Sequence, residues 1–326
     1  MRDLKALPKG HLHLHLEGAM RPSTLIGLAA EDGQPVPPVR AFTGFGAFVA
    51  LYLAAADRLN TKSRLRRVVR EVVEDAAADG VVWLEPAFYP VRYRGLFGSD
   101  QAVIELVLDE LESAGRELGV GTGLIVAADR TVDPSESVEL ARIASAYAGR
   151  GVTGFGLAND ESGCPPEPFA EAFSIARDAG LMSVPHGGEL AGPDSIAGCL
   201  DACGANRVMH GVRAIESAEL MDRLAAEEIC LDVCPSSNLA LGVVGSLIEH
   251  PLPQLLAVGI RCSINADDPL LFGPGILDEY RLSRDQLGLD DATLARVATY
   301  SLEASAAPAS LKTAAMARID DWLAGS

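Results

Sequence analysis

The sequence predicts an α/β protein built as a (β/α)8 TIM-type barrel, and three observations carry that expectation. Short apolar segments rich in β-branched residues alternate with longer amphipathic ones, the pattern of parallel strands joined by crossover helices. Eight such segments can be picked out along the chain, the number that closes a barrel. Of the 326 residues 48% are hydrophobic but only 5% are aromatic, which suits helices packed on parallel strands better than a β-sandwich. An open doubly wound sheet is the competing arrangement, but no G-x-G-x-x-G follows the first strand.

The first strand is "HLHLHL" (11–16). Its period of two puts His11, His13 and His15 on one side and the leucines on the other. Residues 20–80 hold at least two helices around a Pro-rich loop, "GQPVPP" (33–38), and read as an insertion on the barrel rim beside the site. Strands follow at "VVWLEPAF" (81–88), "TGLIVAA" (122–128), "VTGFGLA" (152–158), "LMSVPH" (181–186), "RVMH" (207–210), "ICLDVC" (229–234) and "IRCSIN" (260–265). Amphipathic segments at 135–149, 167–179, 193–202 and 216–227 separate them, and helices from about 276 to 324 close the outer layer. With no internal repeat, low-complexity tail or linker, residues 1–326 read as one domain.

Charge and cysteine usage narrow the function. The formal net charge is −18, whereas a nucleic-acid groove needs clustered Lys and Arg. No apolar run approaches the roughly 20 residues of a membrane helix. The N-terminal "MRDLKALPKG" lacks the apolar core of a signal peptide. Six dispersed cysteines form no C-x-x-C pair, which fits free thiols in a cytoplasmic protein. The expected partner is a small molecule.

Polar residues gather where strands end: His15, Glu17 and Gly18 after the first, His186 and Glu189 in "HGGE", His210 in "HG", Asp267 and Asp268 in "NADDP". In a barrel these ends meet at one face. His250, in "EHPLP", reads as surface. Three imidazoles and a carboxylate form a hydrolytic metal set, and zinc bound this way keeps a position open for water. Glu189 suits proton donation, and His210 suits orienting the water. Each signal is weak by itself. An H-x-H pair is often incidental, Glu189 alone would be a helix N-terminal charge, and Asp267-Asp268-Pro269 alone would be turn chemistry.

Together, and in this order along nearly the whole chain, "LPKGHLHLHLEGAM", "HGGE", "HG" and "NADDP" resemble the adenosine/adenine deaminase family of the amidohydrolase superfamily. The resemblance implies one zinc ion per chain held by His13, His15, His186 and Asp267. It implies that Glu189 protonates purine N1, that His210 orients or deprotonates the attacking water, and that Asp268 holds N7. Glu17 falls where the family has an acidic residue near the sugar. Asn159, in "LANDE", falls where many members have a glycine that contacts N3. His11 has no ligand role in the family. "FGLANDE" and "PHGGEL" resemble a bacterial subgroup that includes aminodeoxyfutalosine deaminases.

The implied reaction is hydrolytic deamination at C6 of adenosine or a 5′-modified adenosine. Two alternatives stand beside it: action on free adenine, for which Glu17 speaks, and a catalytically inactive ligand-binding barrel. Adenosine deaminases often carry an arginine where this chain has Ala87. Space freed there would let Arg92, Arg94 or Arg213 meet an anionic 5′ group, although solvation on the surface is the plainer role for each. The other zinc deaminase signature, H-x-E with P-C-x-x-C, does not occur. "CPSSN" (234–238) reads as a loop and not as a nucleophile site.

Overall fold

The computed structural model describes residues 1–40 and 42–325. Its strands are β1 (Lys9–His11), β2 (Val81–Leu84), β3 (Ala87–Phe88), β4 (Gly121–Thr122), β5 (Leu124–Asp129), β6 (Val152–Ala158), β7 (Met182–Gly187), β8 (Arg207–His210), β9 (Cys230–Val233) and β10 (Arg261–Ile264). All pairings between these strands are parallel. They form a three-stranded sheet, β1-β2-β4, and a seven-stranded sheet, β10-β9-β8-β7-β6-β5-β3. Isolated bridges from Leu14 to Asp267 and from His15 to Ala87 tie the first segment to both edges of the larger sheet. The architecture is the TIM-type α/β barrel that the alternation predicts, but its hydrogen-bond ladder is not continuous around the ring.

Two local departures explain the gap. The second and third predicted strands are each divided, at Glu85–Pro86 and at Gly123. The first is shorter than predicted, because regular pairing stops at His11. Beyond it the Asn265 side-chain oxygen accepts the backbone N–H groups of Leu12 (2.7 Å) and His13 (3.1 Å). A side chain thus satisfies buried donors that the ladder leaves, and the chain is free to turn His13 and His15 toward the strand ends.

The rim insertion contains three helices, α1 (Pro22–Glu31), α2 (Phe45–Ala56) and α3 (Lys62–Ala78). In α3 the buried Leu65, Val68, Val69, Val72, Val73 and Ala76 recur at helical spacing and make one apolar face. Each such side chain, taken from water, contributes roughly 1.5–3 kcal/mol. The Thr61 hydroxyl caps the start by accepting from Arg64 N at 3.3 Å. Helices Ile276–Asp285, Asp291–Glu303 and Ala309–Ala324 complete the chain where helical pattern is expected. Among the described residues no helix is long and apolar enough to cross a membrane.

Below the site lies a closed polar network. Arg207 donates to Asp232 (2.7 Å) and Glu85 (2.5 Å), and Trp83 and Ser263 donate to the same two carboxylates. Buried charges persist only when paired in this way.

Glu279, on Ile276–Asp285, is buried with a weaker partner, Ser236 N at 3.4 Å. Burial pushes its carboxyl from 4.5 up to about 8. The folded chain therefore holds a proton that the unfolded chain releases. The stability this represents is full below about pH 4 and is lost as pH rises toward about 8. Glu279→Gln is expected to remove a pH-dependent stability of up to a few kcal/mol, at about 1.4 kcal/mol per pKa unit, and so to flatten the fall in Tm over that window. Parallel Tm–pH curves for the two proteins would remove the assignment.

Candidate active site

Four ligand atoms converge where the first, fifth and eighth strand segments end. His15 Nε2 lies 3.2 Å from His186 Nε2. Asp267 Oδ1 lies 3.3 Å from both His13 Nε2 and His15 Nε2. His13, His15 and His186 form one group close enough to share an ion. Their outer contacts fix the orientation. His13 Nδ1 sits 3.0 Å from the Asp232 carbonyl, and His186 Nδ1 2.9 Å from that of Leu157. A carbonyl only accepts, so each Nδ1 carries the proton and each Nε2 presents a lone pair. This is the outer-shell pattern of a metal-binding histidine. His13 Nε2 is buried and has no hydrogen-bond partner, so the donor set fits a cation.

The backbone is specialised here. Asp267 and His210 occupy left-handed conformations, with φ of 58° and 63°, which non-glycine residues seldom adopt and which cluster at functional sites. Asp267 is held on both sides, since its N–H donates to His13 O (3.1 Å) and its carbonyl accepts from His15 N (3.0 Å). Its other carboxylate oxygen accepts from Ser237 Oγ at 2.7 Å. Ser237 belongs to "CPSSN", which is not the expected loop but opens the helix Pro235–Ala240, and its contact to the site was not signalled by its sequence.

Glu189 and His210 face the same space. His210 Nε2 lies 3.4 Å from Glu189 Oε1 and 3.7 Å from Asp267 Oδ2. Burial, reinforced by the negative charges of Asp267 and Glu161, pushes the Glu189 carboxyl well above its ordinary range. Burial also holds the His210 ring neutral, with the nearby His13 adding to the effect. Glu161 accepts from the N–H groups of Glu189 (3.2 Å) and Ala191 (2.6 Å), and Arg130 pairs with it at 3.5 Å. These buried residues, both missed in the sequence, pin the "HGGE" turn. Asp268 is buried, and burial together with the Asp267 charge raises its carboxyl well above normal. Gly18 permits its approach, because a Cβ there would lie 1.6 Å from Asp268 Oδ1.

A cavity of about 280 Å³ opens beside this cluster and is lined by His15, Glu17, His186, Glu189, His210, Asp267 and Asp268. Its outer wall is largely apolar, with Phe45, Phe48, Val49 and Leu53 from α2, and Leu241. Glu17 is buried and accepts from Tyr52 Oη at 2.9 Å. Asn159 lines the cavity in a left-handed conformation, φ 80°, but its side chain donates to Asp129 at 2.9 Å. Arg92 pairs with Asp57, Arg94 with Asp100, and Arg213 with Glu216. Each guanidinium therefore already faces a carboxylate. His11 stays outside the ligand cluster, with Nε2 accepting from Ala266 N at 3.3 Å. His250 is not on the surface as expected. It is 2% exposed, and its Nε2 lies 3.2 Å from Asn238 Oδ1.

The family model for adenosine deaminase matches residues 8–322. The chain belongs to the adenosine deaminase family. The deaminase is 43% identical to a putative adenosine/adenine deaminase of Streptomyces coelicolor, over 99% of this chain and 98% of the relative. It superposes on an adenine deaminase from Arthrobacter aurescens with a TM-score of 0.91 and 30% identity, covering 98% and 99% of the two chains. An amidohydrolase from Burkhoderia ambifaria solved with bound Zn gives a TM-score of 0.90 at 26% identity, covering 99% and 93%. The deaminase is thus a metal-dependent amidohydrolase acting on adenosine- or adenine-type substrates.

Proposed function

We propose that the deaminase converts an adenine nucleoside and water to the inosine-type product and ammonia, with one zinc ion held by His13, His15, His186 and Asp267. The zinc-bound neighbour and the lone pairs of the donor set support that ion. Bound there, it would lower the pKa of a coordinated water to about 7. The protein's own groups supply the rest. Glu189, whose carboxyl burial raises, donates its proton to ring N1. Asp268, whose carboxyl burial and the Asp267 charge raise, donates to N7 in its protonated form, which an ionised carboxylate could not do because both groups only accept. His210 orients the water against C6. Glu17 faces the sugar, and Asn159 lines the wall beside the ring.

The observation that carries the nucleoside reading is the apolar outer wall from α2. Free adenine would leave Phe45, Phe48, Val49 and Leu53 uncovered, whereas a nucleoside reaches them. Since Arg92, Arg94 and Arg213 are ion-paired, a neutral 5′ end fits better than an anionic one. Free adenine is the second reading. It is favoured by the buried Glu17–Tyr52 pair, which occupies the sugar side, and by the adenine deaminase neighbour. Six free cysteines, five of them buried, suit a reducing cytoplasm.

Parallel kcat/KM measurements on adenine, adenosine, 5′-deoxy-5′-methylthioadenosine and aminodeoxyfutalosine test the assignment. Both neutral nucleosides are expected above adenine, and the methylthio compound above aminodeoxyfutalosine. An advantage of orders of magnitude for adenine would end the nucleoside reading and leave the small-base one standing.

A further inference from the structure

His210 presents two ring nitrogens, which have opposite roles in the neutral imidazole. One donates and the other accepts. Which one faces the water decides whether His210 can take a proton or can only give a hydrogen bond. The contacts behind the ring settle the matter, beginning at a group whose polarity is not in doubt.

The backbone N–H of Leu252 donates to His250 Nδ1 at 3.2 Å. His250 Nδ1 is therefore unprotonated. Burial holds this histidine down to about 4, so at working pH it is neutral and its only proton sits on Nε2. That N–H points at Asn238 Oδ1, 3.2 Å away. With its oxygen facing His250, the Asn238 amide directs its Nδ2–H at His210 Nδ1, at 3.3 Å. His210 Nδ1 must accept, and the proton of His210 lies on Nε2. All three side chains are buried, so water does not compete for these positions. Asn238 is itself anchored in the helix Pro235–Ala240, since its N–H donates to Cys234 O at 3.0 Å.

We propose that Asn238 and His250 are positioning residues that lock His210 as the Nε2–H tautomer, so that it donates a hydrogen bond to the attacking water and does not act as its base. This deepens the deaminase reading and rests on it for the identity of the water. The relay itself is a property of the apoprotein. Neither Asn238 nor His250 lines the substrate cavity, and their side-chain hydrogen bonds lead to the site through the His210 imidazole.

Two measurements test it. In zinc-loaded and zinc-free protein carrying 15N-labelled histidine, long-range 1H–15N spectra identify the protonated nitrogen of each ring. His210 and His250 are both expected as Nε2–H. Finding His210 protonated at Nδ1 in the wild type overturns the proposal and needs no variant.

The second measurement uses Asn238→Asp, which keeps the shape but replaces the donor with an acceptor. It is expected to move the His210 proton to Nδ1. It should lower kcat by about 10–100-fold, the usual cost of losing such a supporting contact, with metal content kept and KM nearly unchanged. If the tautomer flips and kcat holds, the positioning role fails. If Asn238→Asp does not fold, His250→Leu and His250→Gln replace it. Leucine removes the donor to Asn238, and the Gln amide restores it. Loss with Leu and recovery with Gln support the relay, and equal kcat for the two overturns it. A preference for free adenine would change the substrate assignment without moving the His210 proton, so the two failures are distinguishable.

Discussion

A Glu189→Gln enzyme is expected to keep its metal and its fold while losing about 10²–10⁴-fold in kcat, the usual contribution of a general acid. The exchange is nearly isosteric. The backbone N–H groups that Glu161 accepts at Glu189 and Ala191 are untouched, so the "HGGE" turn stays in place. Gln can still donate a hydrogen bond to N1, so KM is expected to change little, but it cannot transfer the proton that N1 needs in the transition state. The wild-type profile carries a further signature. Burial raises the Glu189 carboxyl, so the active protonated form persists to higher pH than in an ordinary glutamic acid and is lost as pH rises through that elevated pKa. Turnover should fall on that alkaline limb in the wild type, and the Gln variant should lack the limb. Near-normal kcat in the variant would remove Glu189 from the acid role.

The second large effect is on the metal. His186→Ala deletes a ligand at the end of β7, whose Nδ1 contact to Leu157 O at 2.9 Å holds Nε2 toward Asp267 and His15. The variant is expected to bind zinc to only a small fraction of wild-type occupancy and to lose activity beyond the Glu189→Gln level. Thermal stability supplies an independent readout. A ligand that binds only the folded chain stabilises it by RT ln(1 + [L]/Kd), about 2.7 kcal/mol at 100 times Kd. Added zinc should therefore raise the Tm of zinc-stripped wild type and leave that of His186→Ala almost unmoved. Stoichiometric zinc in the variant by elemental analysis would show that His186 is not a ligand.

Much of the fold is legible in the sequence because strand–helix alternation repeats eight times, and each segment follows its own period. The interruption after His11 is not legible. It depends on the Asn265 amide, some 250 residues away, taking over two backbone donors. The alternation "HLHLHL" by itself predicts an unbroken strand. The rim insertion is legible as helices near the site. Only packing shows that α2 supplies the cavity wall, since Phe45, Phe48 and Val49 read equally well as core.

His250 shows how local reading fails. "EHPLP" has a charge and two prolines around the histidine, which are surface signals. Its burial is decided by the helix Pro235–Ala240, whose Asn238 it meets. Ser237 and Asn238, within the "CPSSN" that reads as a loop but folds as the helix Pro235–Ala240, carry no local signal either, and only the nearby Asp267 and His210 give these two a role. Arg92, Arg94 and Arg213 have solvation as their plainer reading, and each is found in an ion pair. Arg213 pairs with Glu216, three residues on, and Arg94 with Asp100, six residues on, whereas the partner of Arg92, Asp57, comes from 35 residues away at the end of α2.

The sequence alone determined the chemistry of this protein. H-x-H, H-x-x-E and D-D-P are each weak alone, but together and in this order they resemble the deaminase family, and strand ends in a parallel barrel must converge on one face. The tertiary structure alone decided the state of those groups. It buried Glu189 and Asp268 beside Asp267, which raises both carboxyls toward the protonated form, and it closed Tyr52 over Glu17. Protonation depends on desolvation and on charges a few ångströms away, and those distances exist only once residues far apart in the chain have packed together.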